Sequence, residues 1–417
     1  MSIITTLTRT WLTRTLRPFT FKNEYDQILP FAECENLGLY VHIPFCKSVC
    51  NFCPYCKTLY SKELCDKYID ALIREIRLVG SRQSGKKEAT SLYFGGGTPA
   101  LAADRIREII DALSEHFVIT EGVGLELHPD NVTPDVLQTL KDAGVTKISV
   151  GVQSFRSKYQ EILGRKKVDA SAMASALAAV PFETVSMDFI FALPGQTYDD
   201  LKSDIDAAFS AGANHVAIYP FIEFTFTDSP VPTMPKKEKR ALLDAITKYC
   251  ASKGYARTSI WTFTSAPDAN YSSMTRDNFL GFGCSATSLF KKQFKINTFD
   301  VGSYCERIDS GQLATSLTIR FTKRQRMIYW LFWTAYSTKV KASDFERFFG
   351  VPLKKAYGFE FWLAKRLGFF TEEDGVYQMT LKGAFYYHYY ENFYTLAYID
   401  KMWGIMRSEA FPKRIEL

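Results

Sequence analysis

Cys46, Cys50 and Cys53 stand in a C-x3-C-x2-C spacing just after the apolar run Leu39–Ile43. Three thiolates on so short a loop can reach three irons of a cubane cluster, and soft sulfur suits iron–sulfur chemistry. With three protein ligands, the fourth iron keeps a position open for a small molecule. A structural zinc site more often uses two separated C-x2-C pairs, which this chain lacks. Cys56, in Cys53-Pro54-Tyr55-Cys56, reads as a bystander, because a fourth thiolate would close the open position. The remaining cysteines, Cys34, Cys65, Cys250, Cys284 and Cys305, are scattered. That pattern is not a secreted disulfide framework. It points to a metal site in a reducing compartment, and the expected location is the cytoplasm.

Such a loop needs a scaffold, and residues 39 to 220 supply one. Short β-branched or apolar runs recur at Leu39–Ile43, Ser91–Phe94, Val123–Leu127, Lys147–Val152, Val185–Ile190 and His215–Tyr219. Between them lie segments of helical period. One begins at Ser61, a predicted N-cap, and sets Leu64, Tyr68, Leu72, Ile76 and Val79 on one face. Others carry Ile106, Ile109, Ile110, Leu113 and Phe117, or fit Pro134–Ala143, Ala170–Ala179 and Tyr198–Ala211. Repeated β–α units require right-handed crossovers and a parallel sheet, either open and doubly wound or a partial barrel. Residues from about 225 to 315 read as irregular α/β material. Beyond Thr322 the pattern turns helical, over Arg324–Tyr336, Ser343–Phe349 and Leu353–Leu367, with a turn-rich pair near Gly375 and Val376–Leu381. That order suits a winged helix or a generic helical cap. The expected division is an N-terminal arm (1–36), a core (37–225), an extension completing it (226–315) and a C-terminal helical domain (316–417).

The composition fits this plan. Of 417 residues, 47% are hydrophobic and 23% charged, as in ordinary globular proteins. No apolar run approaches the ~18 residues of a membrane span, so a soluble protein without a membrane span is expected. The formal charge of +6 is small, and the basic cluster Lys236-Lys237-Glu238-Lys239-Arg240 contains an acid. It reads as a solvated helix face, and no nucleic-acid partner is expected. Residues 1–20 hold Arg9, Arg14 and Arg17 and no acid, consistent with a transit segment or, in preference, a poorly ordered arm. The 33 Phe, 23 Tyr and 6 Trp suffice for a large core or a wide apolar pocket. Phe385-Tyr386-Tyr387-His388-Tyr389-Tyr390, with Phe393 and Tyr394, would close such a pocket or pack against the barrel mouth.

Tyr40-Val41-His42-Ile43-Pro44-Phe45-Cys46, continued through Cys53, resembles the cluster loop of the radical S-adenosylmethionine superfamily. More narrowly it is similar to the branch holding oxygen-independent coproporphyrinogen dehydrogenase, its heme-chaperone relatives and the class C radical methyltransferases. Further motifs follow in the family's order. These are Phe94-Gly95-Gly96-Gly97-Thr98-Pro99, Glu126 with Pro129, and Gly151-Val152-Gln153-Ser154-Phe155 with Arg165. After them come Asp188-Phe189-Ile190-Phe191-Ala192-Leu193-Pro194-Gly195-Gln196-Thr197 and Leu280-Gly281-Phe282-Gly283-Cys284-Ser285-Ala286. The likeness covers residues 39 to about 290.

The resemblance implies a partial (β/α)6 TIM-like barrel with ligands at the C-terminal strand ends, where these motifs fall. It implies a 4Fe–4S cluster on Cys46, Cys50 and Cys53, and S-adenosylmethionine chelating the open iron through its amine and carboxylate. One electron would then yield methionine and a 5′-deoxyadenosyl radical that takes hydrogen from carbon. Carried over by position, Tyr40, Gly96, Glu126, Gln153, Arg165 and Asp188 would surround the first cofactor molecule. Phe52, Gly97, Thr98, Pro220 and Thr287 would lie near it or near a second one. The glycines let backbone approach the methionine part, Glu126 and Asp188 suit an amine or ribose hydroxyls, and Arg165 suits a carboxylate. Expected partners are an electron donor such as flavodoxin or ferredoxin and a small-molecule substrate, a tetrapyrrole or another planar, apolar compound.

Two departures matter. The family's dehydrogenases place a further cysteine two residues after the third ligand, whereas Cys56 comes three residues after Cys53. The heme chaperones usually carry His-Asn and Tyr-Trp pairs where this chain has Asn270-Tyr271 and Arg276-Asp277-Asn278-Phe279. With only five histidines, axial heme ligation has few candidates. A coproporphyrinogen-oxidase-like dehydrogenation is therefore the first expectation, with methyl or methylene transfer to an sp2 carbon as its alternative. A heme-binding chaperone with a vestigial cluster is the second class. A simple electron carrier would not need six β–α units.

Overall fold

The computed structural model describes residues 3–227, 232, 234–266 and 277–417. Six parallel strands, Leu37–Ile43, Ser91–Gly96, Val123–Leu127, Lys147–Gln153, Thr184–Phe191 and His215–Pro220, lie side by side in chain order. Their registers run Ile43 to Gly96, Phe94 to Leu125, Leu127 to Val150, Met187 to Val150 and Phe191 to Pro220. Doubly wound sheets reverse their strand order partway, and these six strands follow one another without a reversal. The arrangement is therefore the barrel-like alternative. Val41, Ile43, Phe94, Leu125, Val150, Met187 and Ile218 are wholly buried, as expected where helices cover one face and a core fills the other.

Helices return along the outside. Ser61 caps Lys62–Gly80 by accepting the Leu64 N–H, and Thr197 and Asp200 form a capping box on Tyr198–Ser210. Asn278–Phe282 adds a seventh parallel strand beside the first, aligning Gly281 with Tyr40. Antiparallel strands Thr287–Leu289, Gln293–Asn297 and Thr315–Arg320 widen that side, and Thr262–Thr264 borders the sixth strand.

The C-terminal region has its own small core of Trp330, Val340, Phe345, Phe349, Leu353, Tyr357 and Tyr377. Helices Lys323–Tyr336, Ala342–Phe349 and Leu353–Arg366 pack with a hairpin of Phe370–Glu373 and Val376–Met379. A short strand, Lys339–Lys341, joins that hairpin to complete a three-stranded sheet. The last helical stretch runs from Leu381–Tyr394 through a π turn, Thr395–Ile399, into Asp400–Ser408.

Two expectations are corrected. The N-terminal residues are not a frayed arm. Ile3–Thr13 is a helix whose Trp11 packs on Phe359 and donates to Glu360 Oε1 at 2.9 Å, and Thr20–Lys22 sits between two sheet strands. Nor is the basic cluster simply solvated. Lys236 Nζ lies 3.3 Å from the Tyr389 ring centroid, and Arg240 covers Phe385. The charges dock onto the aromatic C-terminal helix as cation–π partners. Among the described residues, no helix is long and apolar enough to cross a membrane. Asn270, Tyr271 and Arg276 lie outside those residues.

Candidate active site

The cysteine loop leaves the first strand through Phe45–Cys46, which pairs with Thr58–Leu59. Residues 47–57 therefore form a closed loop, pinned by Thr58 N–H to Pro44 O and Tyr60 N–H to Cys46 O. Inside it Lys57 Nζ donates to the carbonyls of Cys50 at 2.8 Å and Cys53 at 2.7 Å. Cys46, Cys50 and Cys53 are half-exposed, whereas the six other cysteines are buried.

Burial pushes the Cys46 thiol up to about 11, with the nearby Cys53 adding to the rise and a Thr98 hydrogen bond opposing it. Cys50 is raised by burial and eased by the Arg165 charge. Cys46 and Cys50 thus resist ionising, and a bound cation removes that resistance. The donor set is soft and three in number, so it fits an iron–sulfur cluster with an open corner.

The second strand ends in the glycine run, bound to the cysteine segment by Gly97 N–H to Ile43 O and Thr98 N–H to Phe45 O. A Cβ on Gly97 would stand 2.5 Å from Phe45 O and 2.9 Å from Cys46 Sγ, and Gly96 has φ of +122°. Glycine is needed at both, by contact and by conformation respectively. Glu126, from the third strand, accepts the Gly96 N–H at 3.1 Å and the Tyr93 hydroxyl at 3.1 Å.

At Asp188 the fourth and fifth strands slip register: Met187 faces Val150, but Phe189 faces Gln153. This bulge frees the Gly151 carbonyl, which accepts from Arg165 Nη1 at 2.7 Å. Gln153 sits at the strand end with φ of +70°, a strained value for a residue with a side chain. Asp188 has Ser149 Oγ 3.0 Å from both oxygens and Ser186 Oγ at 3.3 Å. Burial, then the Glu126 charge, pushes its carboxyl up to about 7, and burial also raises Glu126.

Tyr40, Glu126 and Asp188 keep accessible surface although protein surrounds them, and Tyr55 keeps 55% of its own. Surface of that kind is the wall of an internal cavity. Across its mouth lies the C-terminal helix: His388 packs edge-on to Trp261 and near Phe191, and Trp403 meets Tyr55 of the cysteine loop. The aromatic C-terminal segment thus packs against the ends of the barrel strands. Another cleft, of 390 Å³, is lined by Glu223, Phe224, Thr225, Thr227, Leu396 and Asp400. It holds no thiol, and Trp403 stacked on Phe224 stands between it and the Tyr55 contact.

The remaining expected contacts are placed more loosely. Phe52 packs with Tyr159, Leu163, Ile190, Leu193 and Phe221, which anchors the loop to the barrel. Pro220 ends the sixth strand, and Thr287 opens the strand behind Gly281. Gln196 and Thr197 serve the fold, through a Gln196 Nε2 bond to Ile190 O and the helix cap. Sequence reading passed over Tyr93, Ser149, Ser186 and Lys57. Of these, only Tyr93 and Ser149 carried a sign, as polar groups in strands adjacent to the chosen acids. Cys56 is turned from the other loop thiols: its Sγ donates to Phe299 O at 3.1 Å and lies 3.9 Å from Cys284 Sγ.

Three clustered thiols at the end of a parallel-strand barrel, beside a glycine edge and two cavity-facing carboxylates, define the class. Residues 40–208 match the family model described as Radical SAM superfamily, and the chain carries a domain of that family. A 4Fe–4S cluster and S-adenosylmethionine are the cofactors this family implies. Among curated proteins, the heme chaperone HemW of Bacillus subtilis is 26% identical over 285 residues, covering 64% of this chain and 75% of its own. The oxygen-independent coproporphyrinogen III oxidase of Pseudomonas aeruginosa is 26% identical over 330 residues, 70% of each chain. Among solved structures, coproporphyrinogen III oxidase (HemN) from Escherichia coli superposes with a TM-score of 0.72 at 22% identity, over 84% of this chain and 88% of that one. The fold is shared with that enzyme.

Proposed function

We propose that this protein is a radical S-adenosylmethionine enzyme that abstracts hydrogen from a carbon of a tetrapyrrole-type substrate, in the manner of an oxygen-independent coproporphyrinogen oxidase. The carrying observation is the glycine edge, where Gly97 lies against Cys46 Sγ and Gly96 N–H donates to Glu126, with Tyr55 of the cysteine loop in reach of Cys53, Glu126 and Asp188. A reduced cluster with its nucleoside ligand supplies a carbon-centred radical able to attack an unactivated C–H bond.

The chain's own residues do the rest. Cys46, Cys50 and Cys53 would hold the cluster, and Lys57 fixes the loop by donating to the carbonyls of Cys50 and Cys53. Gly96 and Gly97 present backbone without side-chain bulk, Thr98 sets its side chain against Cys46, and Tyr40 and Gln153 border the same space. Glu126 offers carboxylate oxygens to an ammonium, Asp188 to ribose hydroxyls, and Arg165 its free guanidinium donors to a carboxylate. Phe52, Pro220 and Thr287 complete the set for one or two cofactor molecules. Tyr55, Trp403 and His388 exclude water and offer flat apolar surface to a flat ligand. The required electron comes from a small donor of flavodoxin or ferredoxin type.

Methyl or methylene transfer to an sp2 carbon uses the same first half, so product analysis separates the readings. The reconstituted protein is given dithionite, S-adenosylmethionine and coproporphyrinogen under argon. Methionine and 5′-deoxyadenosine with loss of CO2 support dehydrogenation, whereas S-adenosylhomocysteine points to methyl transfer. Tight heme binding with no cleavage above background would replace both readings by the chaperone.

A further inference from the structure

We infer that His42, Cys56 and Cys284 form a second metal site, for one zinc-like soft divalent cation, behind the cysteine loop. Each comes from a different element: His42 from the first strand, Cys56 from the end of the cysteine loop, Cys284 from the turn after Asn278–Phe282. All three are buried, and one ligand atom of each lies within 4.8 Å of the other two. The Cys56 and Cys284 sulfurs are 3.9 Å apart. Two thiolates on one tetrahedral zinc, at about 2.3 Å each, stand about 3.8 Å apart, whereas a disulfide needs about 2.05 Å. The spacing excludes a disulfide and suits two sulfurs that share a proton now and would share a cation on binding.

The surroundings supply what a zinc site uses. Tyr40 OH lies 3.0 Å from His42 Nδ1, and His42 Nε2 lies 3.1 Å from Cys56 O. In the chain alone, Nε2–H donates to the Cys56 carbonyl and Tyr40 O–H donates to Nδ1. On binding, the ring proton would move to Nδ1 with the Tyr40 oxygen accepting it, and Nε2 would exchange the carbonyl for the cation, the outer-shell pattern of metal-bound histidines. Binding releases the two thiol protons to solvent. Ser285, held at φ of +55°, follows Cys284 and sets its hydroxyl against the Cys56 sulfur, an oxygen donor for the fourth position. Since Tyr40 borders the cavity, the cation would brace that wall from behind. The inference does not depend on the proposed reaction, because iron and zinc are counted separately.

The test is metal analysis of the full chain, reconstituted anaerobically with iron and sulfide, incubated with zinc and desalted. About one zinc per chain is expected beside the cluster iron. Zinc-edge X-ray absorption should show two sulfurs near 2.3 Å and one nitrogen near 2.0 Å. Cys284→Ala should lower zinc at least about fivefold and leave iron in place. If that variant fails to fold, cobalt(II) added to the wild-type chain gives the thiolate charge-transfer band of a two-sulfur site. Zinc below about 0.2 per folded chain, zinc that survives Cys284→Ala, absence of the cobalt band, or a Cys56–Cys284 disulfide in the intact mass each overturns the inference.

Discussion

Two carboxylate sites, one on the helix Lys62–Gly80 and one on the third and fifth strands, are built in opposite ways. Glu75 accepts from Gly283 N–H at 2.7 Å, Tyr304 OH at 2.7 Å and Asn297 Nδ2 at 2.9 Å, with Lys295 as its nearby cation. Burial pushes that lysine down to about 8 while the Glu75 charge holds it up. Among the described residues, Glu126 and Asp188 receive only hydroxyls and one amide, and the Glu126 charge opposes the ionisation of both Asp188 and Tyr40. Among the described residues, neither forms an ion pair with a lysine or arginine. A carboxylate that serves the fold is saturated by the fold. One that serves a ligand keeps spare acceptors facing a cavity, at some cost in stability.

The contrast can be broken most forcefully at the thiols that share the cavity. Replacing Cys46 or Cys53 by Ala should abolish cluster iron and lower 5′-deoxyadenosine formation by about a thousandfold or more, with little change in melting temperature. Iron assay and chromatography read this directly. The saturated acid should behave in reverse. Glu75→Gln strands Lys295 in the interior, and urea unfolding should show a loss of about 3 kcal/mol, with the cofactor contacts untouched.

Glu126→Gln should weaken S-adenosylmethionine binding about tenfold to a hundredfold, as for a lost charge-assisted bond, and leave stability near wild type. Asp188 tests the sign of its own shift. Its folded carboxyl, raised from 3.8 to about 7, holds a proton that the unfolded chain has already released. Between those values the unfolded state binds fewer protons, so stability falls as pH rises from 4 to about 7 and levels beyond. Asp188→Asn should remove that slope. Its unfolding free energy in urea should exceed wild type at pH 8, by on the order of 1–3 kcal/mol, and converge with it near pH 4. The smallest effect is expected from Lys57→Met, which removes two donors to loop carbonyls and costs about 1 kcal/mol, read as faster cluster loss under air.

The six parallel strands and their helices were legible because apolar and β-branched residues dominate each strand and stretches of helical period fall between them. Val123–Leu127 and Ala170–Ala179 have the bounds that their patterns suggest. Short antiparallel pieces were not legible: Thr20–Lys22, Lys339–Lys341 and Arg414–Glu416 have three residues each, too few to show a period. The N-terminal helix depends on docking to the C-terminal region, which composition does not encode. At the site, the ligand-type residues announce themselves by chemistry and spacing. Their supports do not, since Ser149 under Asp188, Lys57 across the loop and Cys284 behind Cys56 become neighbours only once the strands align. The bulge at Asp188 is likewise a property of pairing, invisible along a single strand.

The central claim is a cluster with one corner open to a ligand held by Glu126 and its neighbours. Electron paramagnetic resonance of the dithionite-reduced, reconstituted protein, with and without S-adenosylmethionine, tests it most directly. The account predicts that the spectrum of the reduced cluster shifts on addition, and that the shift is lost in Glu126→Gln at the same concentration. An unchanged spectrum from a fully loaded 4Fe–4S wild-type protein would contradict it.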